Sequence, residues 1–246
     1  MNHMPTVYIV RHGESLATLD PSLFARMDPA SIPLTQWGHE QAKEAGVHLA
    51  RIFDGSDRKC RIFFSDHTRI VQSKDALVES LGGRHVSAEE VDLRLREREH
   101  GDFHGLDLEA QRIKNPEVFA KLYATGRGYA RDRYETPMPN GESLKDVHAR
   151  LNDFIASLPE RLEPNEDVVI VTHGGNCKFL EHGLMKHQSV TLFGNIAIPE
   201  KGDVIRLSPP DYNDPQTIHS GKKRPNTMPG NYKSNPFGAP NIELRT

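Results

Sequence analysis

The chain of 246 residues has only two cysteines, Cys60 and Cys177. They sit in no metal-ligand spacing and are too few for a disulfide framework, which points to a reducing compartment. No apolar run approaches the length needed to cross a bilayer, and residues 1–5 carry no secretory signal pattern before a strand-like segment begins. Charge of one sign is also missing: 31 Lys and Arg meet 34 Asp and Glu, for a formal net charge of -3. A general nucleic-acid binder would be clearly basic, so that class is set aside. A local cationic pocket is still compatible with this balance. The expectation is a cytoplasmic protein with no nucleic-acid or membrane partner. Its length suits one sizeable core.

What is present is an alternation of strands and helices. Residues 6–10 (TVYIV), 61–65 (RIFFS), 167–172 (DVVIVT) and 203–207 (DVIRL) read as buried strands, and 85–95 as extended. Helical spacing covers 34–53, with Thr35 placed as its cap, and also 67–81, 143–158 and 176–186. This pattern predicts an α/β fold of three layers, α/β/α, around a mostly parallel central sheet. Residues 106–140 read as a lid-like insertion with a helical piece near 117–124. The domain is expected to span 1–208. Residues 209–246, rich in Pro, Asn and Gly and carrying Lys222, Lys223 and Arg224, read as an extended or disordered tail.

Two places share one grammar. The run VYIV leads into Arg11-His12-Gly13-Glu14, and VVIVT leads into His173-Gly174-Gly175. Each puts a histidine at the carboxyl end of a buried strand, then glycine, then a helix start. Ligands of open α/β sheets bind outside those strand ends. Helix N-termini there offer free N–H groups to phosphate, and glycine permits close backbone approach. One such histidine alone reads as a packed, hydrogen-bonded side chain; two in one context point to an anion site.

Arg69, one turn into the helix after the RIFFS strand, could reach the same sheet edge, although a surface arginine is the blander reading. The run from Leu95 to Gly105 packs charge between glycines and reads, on composition, as a solvated loop. The lid cations Arg112, Lys114, Lys121, Arg127, Arg131 and Arg133 are partly balanced by acids. They read as a solvated surface, or as a reader of a second anionic group on a substrate.

Taken in order, these motifs resemble the histidine phosphatase superfamily, which includes cofactor-dependent phosphoglycerate mutase. The resemblance rests on Arg11-His12-Gly13-Glu14-Ser15, on Leu34-Thr35 with Gly38, Gln41 and Ala42, and on Ser65 with Arg69. It continues through Leu95 with Glu97, Arg98, Gly101 and Gly105, through Pro139-Asn140-Gly141-Glu142-Ser143, and through Thr172-His173-Gly174. Six elements in order span roughly residues 6–207. Thr18 departs from the family's frequent asparagine, and Ile70 from the alanine that usually follows the arginine.

The resemblance implies that His12 attacks phosphorus, that Arg11 and Arg69 clamp the phosphoryl oxygens, and that His173 donates a further bond. It implies Glu97, rather than Glu99, as the acid and base. Thr18, Arg98 and Gly174 are implied on the substrate side. No metal or cofactor is implied, and His100 with His104 is a poor zinc pair beside its glycines. The partner implied is a small phosphorylated molecule. Three activities stay open: a phosphatase, a mutase-type isomerase, and a non-catalytic phospho-ligand binder. The short 106–140 stretch, the PNGES turn and the Gly-Gly-Asn after Thr172-His173 favour the phosphatase.

Overall fold

The computed structural model describes residues 4–123, 133–185 and 197–221. Six strands form one sheet: β1 (Val7–Arg11), β2 (Lys59–Phe64), β3 (Val86–Val91), β4 (Glu166–Thr172), β5 (Val204–Leu207) and β6 (Gln216–His219). Their order is β3-β2-β4-β1-β5-β6. The pairs β1–β4, β2–β4 and β2–β3 are parallel, whereas β5 runs antiparallel to β1 and β6 antiparallel to β5. The helices are α1 (Leu16–Leu19), α2 (Leu23–Arg26), α3 (Gln36–Phe53), α4 (Thr68–Leu81), α5 (Leu108–Lys114), α6 (Pro116–Tyr123), α7 (Leu144–Arg161) and α8 (Gly174–Leu184).

Strand alternation builds the layers, because successive side chains leave opposite faces of a sheet. Val7 and Ile9 of β1 join Val168 and Ile170 of β4 under Leu151 and Phe154 of α7 and Leu180 of α8. Tyr8, Val10, Val169 and Val171 face the other way, against Leu49 and Phe53 of α3 and Leu77 of α4. The expected three-layer fold with a mostly parallel sheet is what forms. A small satellite cluster of Phe103, Leu122 and Met138 packs both ends of the 106–140 stretch against the loop that precedes it.

Local signals place the helix starts. Thr35 caps α3, accepting from the Gly38 N–H at 3.0 Å. Ser143 and Asp146 form a reciprocal capping box at α7. Several boundaries differ from the sequence reading, and three of them bear on the site and the sheet. First, α7 continues through Pro159 to Arg161. Proline there falls in the final turn, where a single backbone bond is forfeited and its fixed φ suits the helix. Second, α8 begins at Gly174, because His173 itself is the extended N-cap. Third, the sheet runs past residue 208. Tyr212 is buried, its hydroxyl donates to the Pro5 carbonyl at 2.8 Å, and β6 follows. Backbone pairing to β5 builds that strand, so no apolar pattern announces it. Arg127, Arg131 and the basic run 222–224 lie outside the described residues.

Candidate active site

Register brings the two histidine turns together. Arg11 pairs with Thr172 in the β1–β4 ladder, so the next residues, His12 and His173, leave the sheet side by side. Their ring centroids are 5.5 Å apart, edge to face. Both imidazoles are buried, His173 completely. On the other side of β4, Phe64 of β2 ends beside Val171, which delivers Ser65 and the start of α4 to the same edge.

His12 is held as one tautomer. Its Nδ1 lies 2.7 Å from the Gly13 carbonyl, which accepts only a hydrogen, so Nδ1 carries the proton and Nε2 keeps its lone pair. Burial, then the charges of Arg69 and Arg11, push the pKa of His12 well below the ordinary histidine value. The imidazole is therefore neutral at physiological pH. Gly13 has no room for a side chain: a Cβ there would stand 2.1 Å from the Gly38 carbonyl oxygen. Glycine at both positions lets the histidine turn lie directly on the first turn of α3.

Arg69 donates through Nη1 to the Pro29 carbonyl at 2.6 Å and through Nη2 to His173 Nδ1 at 3.1 Å. With Nδ1 accepting, the proton of His173 sits on Nε2, 3.2 Å from Ser65 Oγ. Burial and Arg69 likewise hold His173 well below its ordinary pKa. Arg11 donates through Nη1 to the Pro199 carbonyl at 2.5 Å, while its buried Nε has no partner. Its guanidinium lies across Gly174, where a Cβ would approach Arg11 Cζ to 2.9 Å. Among the described residues, neither Arg11 nor Arg69 is paired with a carboxylate.

Glu97 faces this group. Its Oε2 is 3.8 Å from His173 Nδ1, and its Oε1 accepts from the Arg98 N–H at 3.1 Å. Glu99 is exposed, and its backbone N–H is occupied by the Glu142 carboxylate at 3.0 Å. The geometry thus separates the two glutamates as the motif order did. Arg98 donates through Nε to the Glu142 carbonyl at 2.9 Å and keeps a buried Nη2 without a partner. Thr18 lies on α1 with its hydroxyl 3.4 Å from Ser15 Oγ and is not bonded to His12, His173 or either clamp arginine. Among the described residues, no group of three or more His, Cys, Asp or Glu could hold a metal ion.

This constellation has clear relatives. Residues 7–213 match the histidine phosphatase superfamily, branch 1. The chain belongs to that family. It is 28% identical to a 2,3-bisphosphoglycerate-dependent phosphoglycerate mutase of Rhizobium etli, over 79% of this chain and 86% of that one. It is 31% identical to the enzyme of that name from a Chelativorans strain, over 71% and 79%. A phosphoglycerate mutase-like protein of Arabidopsis thaliana is 28% identical over 72% of this chain, and the match spans 54% of that longer protein. Among solved structures, the α-ribazole phosphatase of Shigella flexneri shares the fold with TM-score 0.65 at 19% identity, covering 88% of this chain and 96% of that one. A mycobacterial glucosyl-3-phosphoglycerate phosphatase in complex with inorganic phosphate gives 0.57 at 26% identity, over 83% and 90%. The family thus has both phosphatase and mutase-like members around this chain.

Sequence reasoning missed the groups that hold this histidine phosphatase site in shape. Asn176, completely buried on α8, donates through Nδ2 to the Leu95 carbonyl at 2.9 Å and the Arg96 carbonyl at 2.8 Å. Thr172 Oγ1 donates to the same Leu95 carbonyl at 3.1 Å. Together they bolt the Glu97 loop to the second histidine turn. Lys201, its pKa lowered to about 8 chiefly by burial, adds a further cation felt by His12. Only the Gly-Gly-Asn after Thr172-His173 hinted at Asn176. Nothing local in the sequence marked Lys201.

Proposed function

We propose that this protein is a metal-independent phosphatase acting on a small phosphomonoester through a phosphohistidine at His12. The observation that carries the reading is the state of His12: neutral, with Nδ1 tied to a carbonyl and the lone pair on Nε2, beside half-buried Arg11 and buried Arg69, neither paired with a carboxylate among the described residues. That arrangement suits a nucleophile aimed at an anion.

In the first step the Nε2 lone pair forms a bond to phosphorus as the ester P–O bond breaks. Glu97 gives its proton to the departing oxygen, releasing an alcohol. Arg11 and Arg69 bear the charge on the nonbridging oxygens. His173 takes a proton from solvent on Nδ1 as that dianion binds, giving up the bond it accepts from Arg69, donates to the dianion, and returns the proton when orthophosphate leaves. In the second step the Glu97 carboxylate removes a proton from water. The water oxygen bonds to phosphorus, the P–N bond breaks, and orthophosphate leaves with His12 neutral again. Arg98, with its spare Nη2, serves the alcohol portion of the substrate.

The mutase reading has one specific support, the names of the curated relatives. The same first step serves both, and the fate of the phosphohistidine separates them. The test is phosphate release from a panel of phosphomonoesters that includes 3-phosphoglycerate, with chelator present and His12→Ala as control. Release by the wild type alone supports the phosphatase. No release, with isomerisation once a bisphosphoglycerate primer is added, would replace it with the mutase. Failure of both leaves a binding protein.

A further inference from the structure

A third histidine stands in this site with no role in the scheme above. His67 is the N-cap residue of α4, immediately after Ser65 and Asp66 at the end of β2. It is 8% exposed. Its ring packs edge to face on His173, centroids 4.9 Å apart, so that His173 is contacted by His12 and by His67. Its Nδ1 is sealed from solvent without a hydrogen-bond partner. Nor does Nε2 bond to any of the described residues. An N-cap normally satisfies a backbone N–H of its helix with its side chain, and this one does not. A buried imidazole with no partner is an expensive way to fill a wall, and such groups call for an explanation in function.

Its electrostatics narrow the explanation. Burial, with Arg69 next, lowers its pKa to about 4, so the ring is neutral under working conditions. A neutral imidazole holds one proton, and the tautomer that wastes least leaves the sealed Nδ1 bare and puts the N–H on Nε2. The phosphoryl oxygens already have Arg11, Arg69 and His173. His67 shares His173 with Glu97, the group that meets the departing oxygen, and Glu97 is among the charges acting on it.

We infer that His67 is a specificity residue, donating from Nε2 to an oxygen of the alcohol portion next to the phosphorylated carbon. This rests on the phosphatase reading and deepens it by naming a substrate class: phosphate esters of polyols or sugars, rather than of plain alkyl or aryl alcohols.

The experiment compares kcat/KM for glycerol 3-phosphate with that for propyl phosphate, which lacks the hydroxyls, in wild type, His67→Leu and His67→Gln. Wild type should prefer the glycerol ester. Leucine should lower its kcat/KM about threefold to tenfold, the size of one neutral hydrogen bond, and leave propyl phosphate within about twofold. Glutamine, which keeps a donor, should restore part of the loss. Orthovanadate inhibition should be equal in all three. An equal fall on both esters, an unchanged ratio, or weakened vanadate binding overturns the assignment. Should the leucine variant fail to fold, nitrogen-15 histidine spectra of His12→Ala decide: glycerol 3-phosphate must move the His67 Nε2 resonance further than propyl phosphate does, and equal shifts overturn the assignment. A wild type that hydrolyses no ester at all sinks the phosphatase reading instead, which no result with His67 can do.

Discussion

Two pairs of arginines on the central sheet are held in opposite ways. At the amino ends of β2 and β4, cations meet carboxylates: Arg58 pairs with Asp167, and Arg61 bridges Glu166 at 2.9 Å and Glu90 at 2.5 Å. At the carboxyl ends of β1 and β2, Arg11 and Arg69 bond, among the described residues, to carbonyls and a histidine and to no carboxylate. The first end uses charge to close the structure. The second leaves its two arginines without a carboxylate partner among the described residues, and their charges, after burial, lower the pKa of His12. An uncompensated buried cation costs stability, so a fold that keeps buried Arg69 and half-buried Arg11 beside His12 is suited to an anionic ligand.

The sharpest break of that contrast is at His12. His12→Ala should lower turnover on the order of 10⁴-fold and remove any acid-labile phosphoenzyme, read by rapid quench with labelled substrate. Retained phosphoenzyme would place the nucleophile elsewhere. Next comes the field itself. Arg69→Ala should reduce kcat/KM roughly 10²- to 10³-fold and weaken orthovanadate inhibition in parallel. Loss of turnover with vanadate affinity intact would mean that Arg69 does not hold the phosphoryl group.

The acid loop depends on packing rather than on field. Asn176→Ala removes the donor that ties the Leu95 and Arg96 carbonyls to α8, leaving Glu97 attached but less well aimed. We expect kcat to fall about tenfold with little change in phosphate affinity. The loss should be smaller for an ester with a good leaving group such as p-nitrophenyl phosphate, since it needs less help from an acid. An equal loss for both would assign Asn176 to general stability.

What the sequence made legible follows the same division. The histidine turns and the Thr35 cap are local, and residue order alone indicated them. Glu97 was chosen over Glu99 only through the family resemblance; in the structure Glu97 comes within 3.8 Å of His173, whereas Glu99 is exposed. Asn176, Lys201 and the Pro199 carbonyl that holds Arg11 could not be read. Each acts across a fold-level contact: Asn176 reaches 81 residues back and Pro199 serves a residue 188 away. The strand β6 escaped for a related reason, being built on backbone pairing with half-exposed side chains.

The smallest effects on activity belong at the other end of the sheet. Arg58→Ala leaves Asp167, its carboxylate 4% exposed, with only the Thr6 N–H at 2.7 Å. The cost should be about 2 kcal/mol, less than for a fully buried pair because Arg58 is partly open to solvent. Activity at 25 °C should stay within about twofold, and that separation of stability from turnover is the contrast in its plainest form. Acid should act on the opposite end. His12 and His173 have folded pKa values below their unfolded value of 6.5, so the unfolded chain binds more protons as pH falls through that value. Stability is therefore fully present above about pH 6.5 and declines below it, and His12→Asn should flatten the decline. Arg58→Ala should lower the unfolding midpoint at every pH while leaving that decline as steep as in the wild type. If the asparagine variant loses stability in acid as quickly as the wild type, His12 is not the buried neutral group that the carboxyl end of the sheet requires.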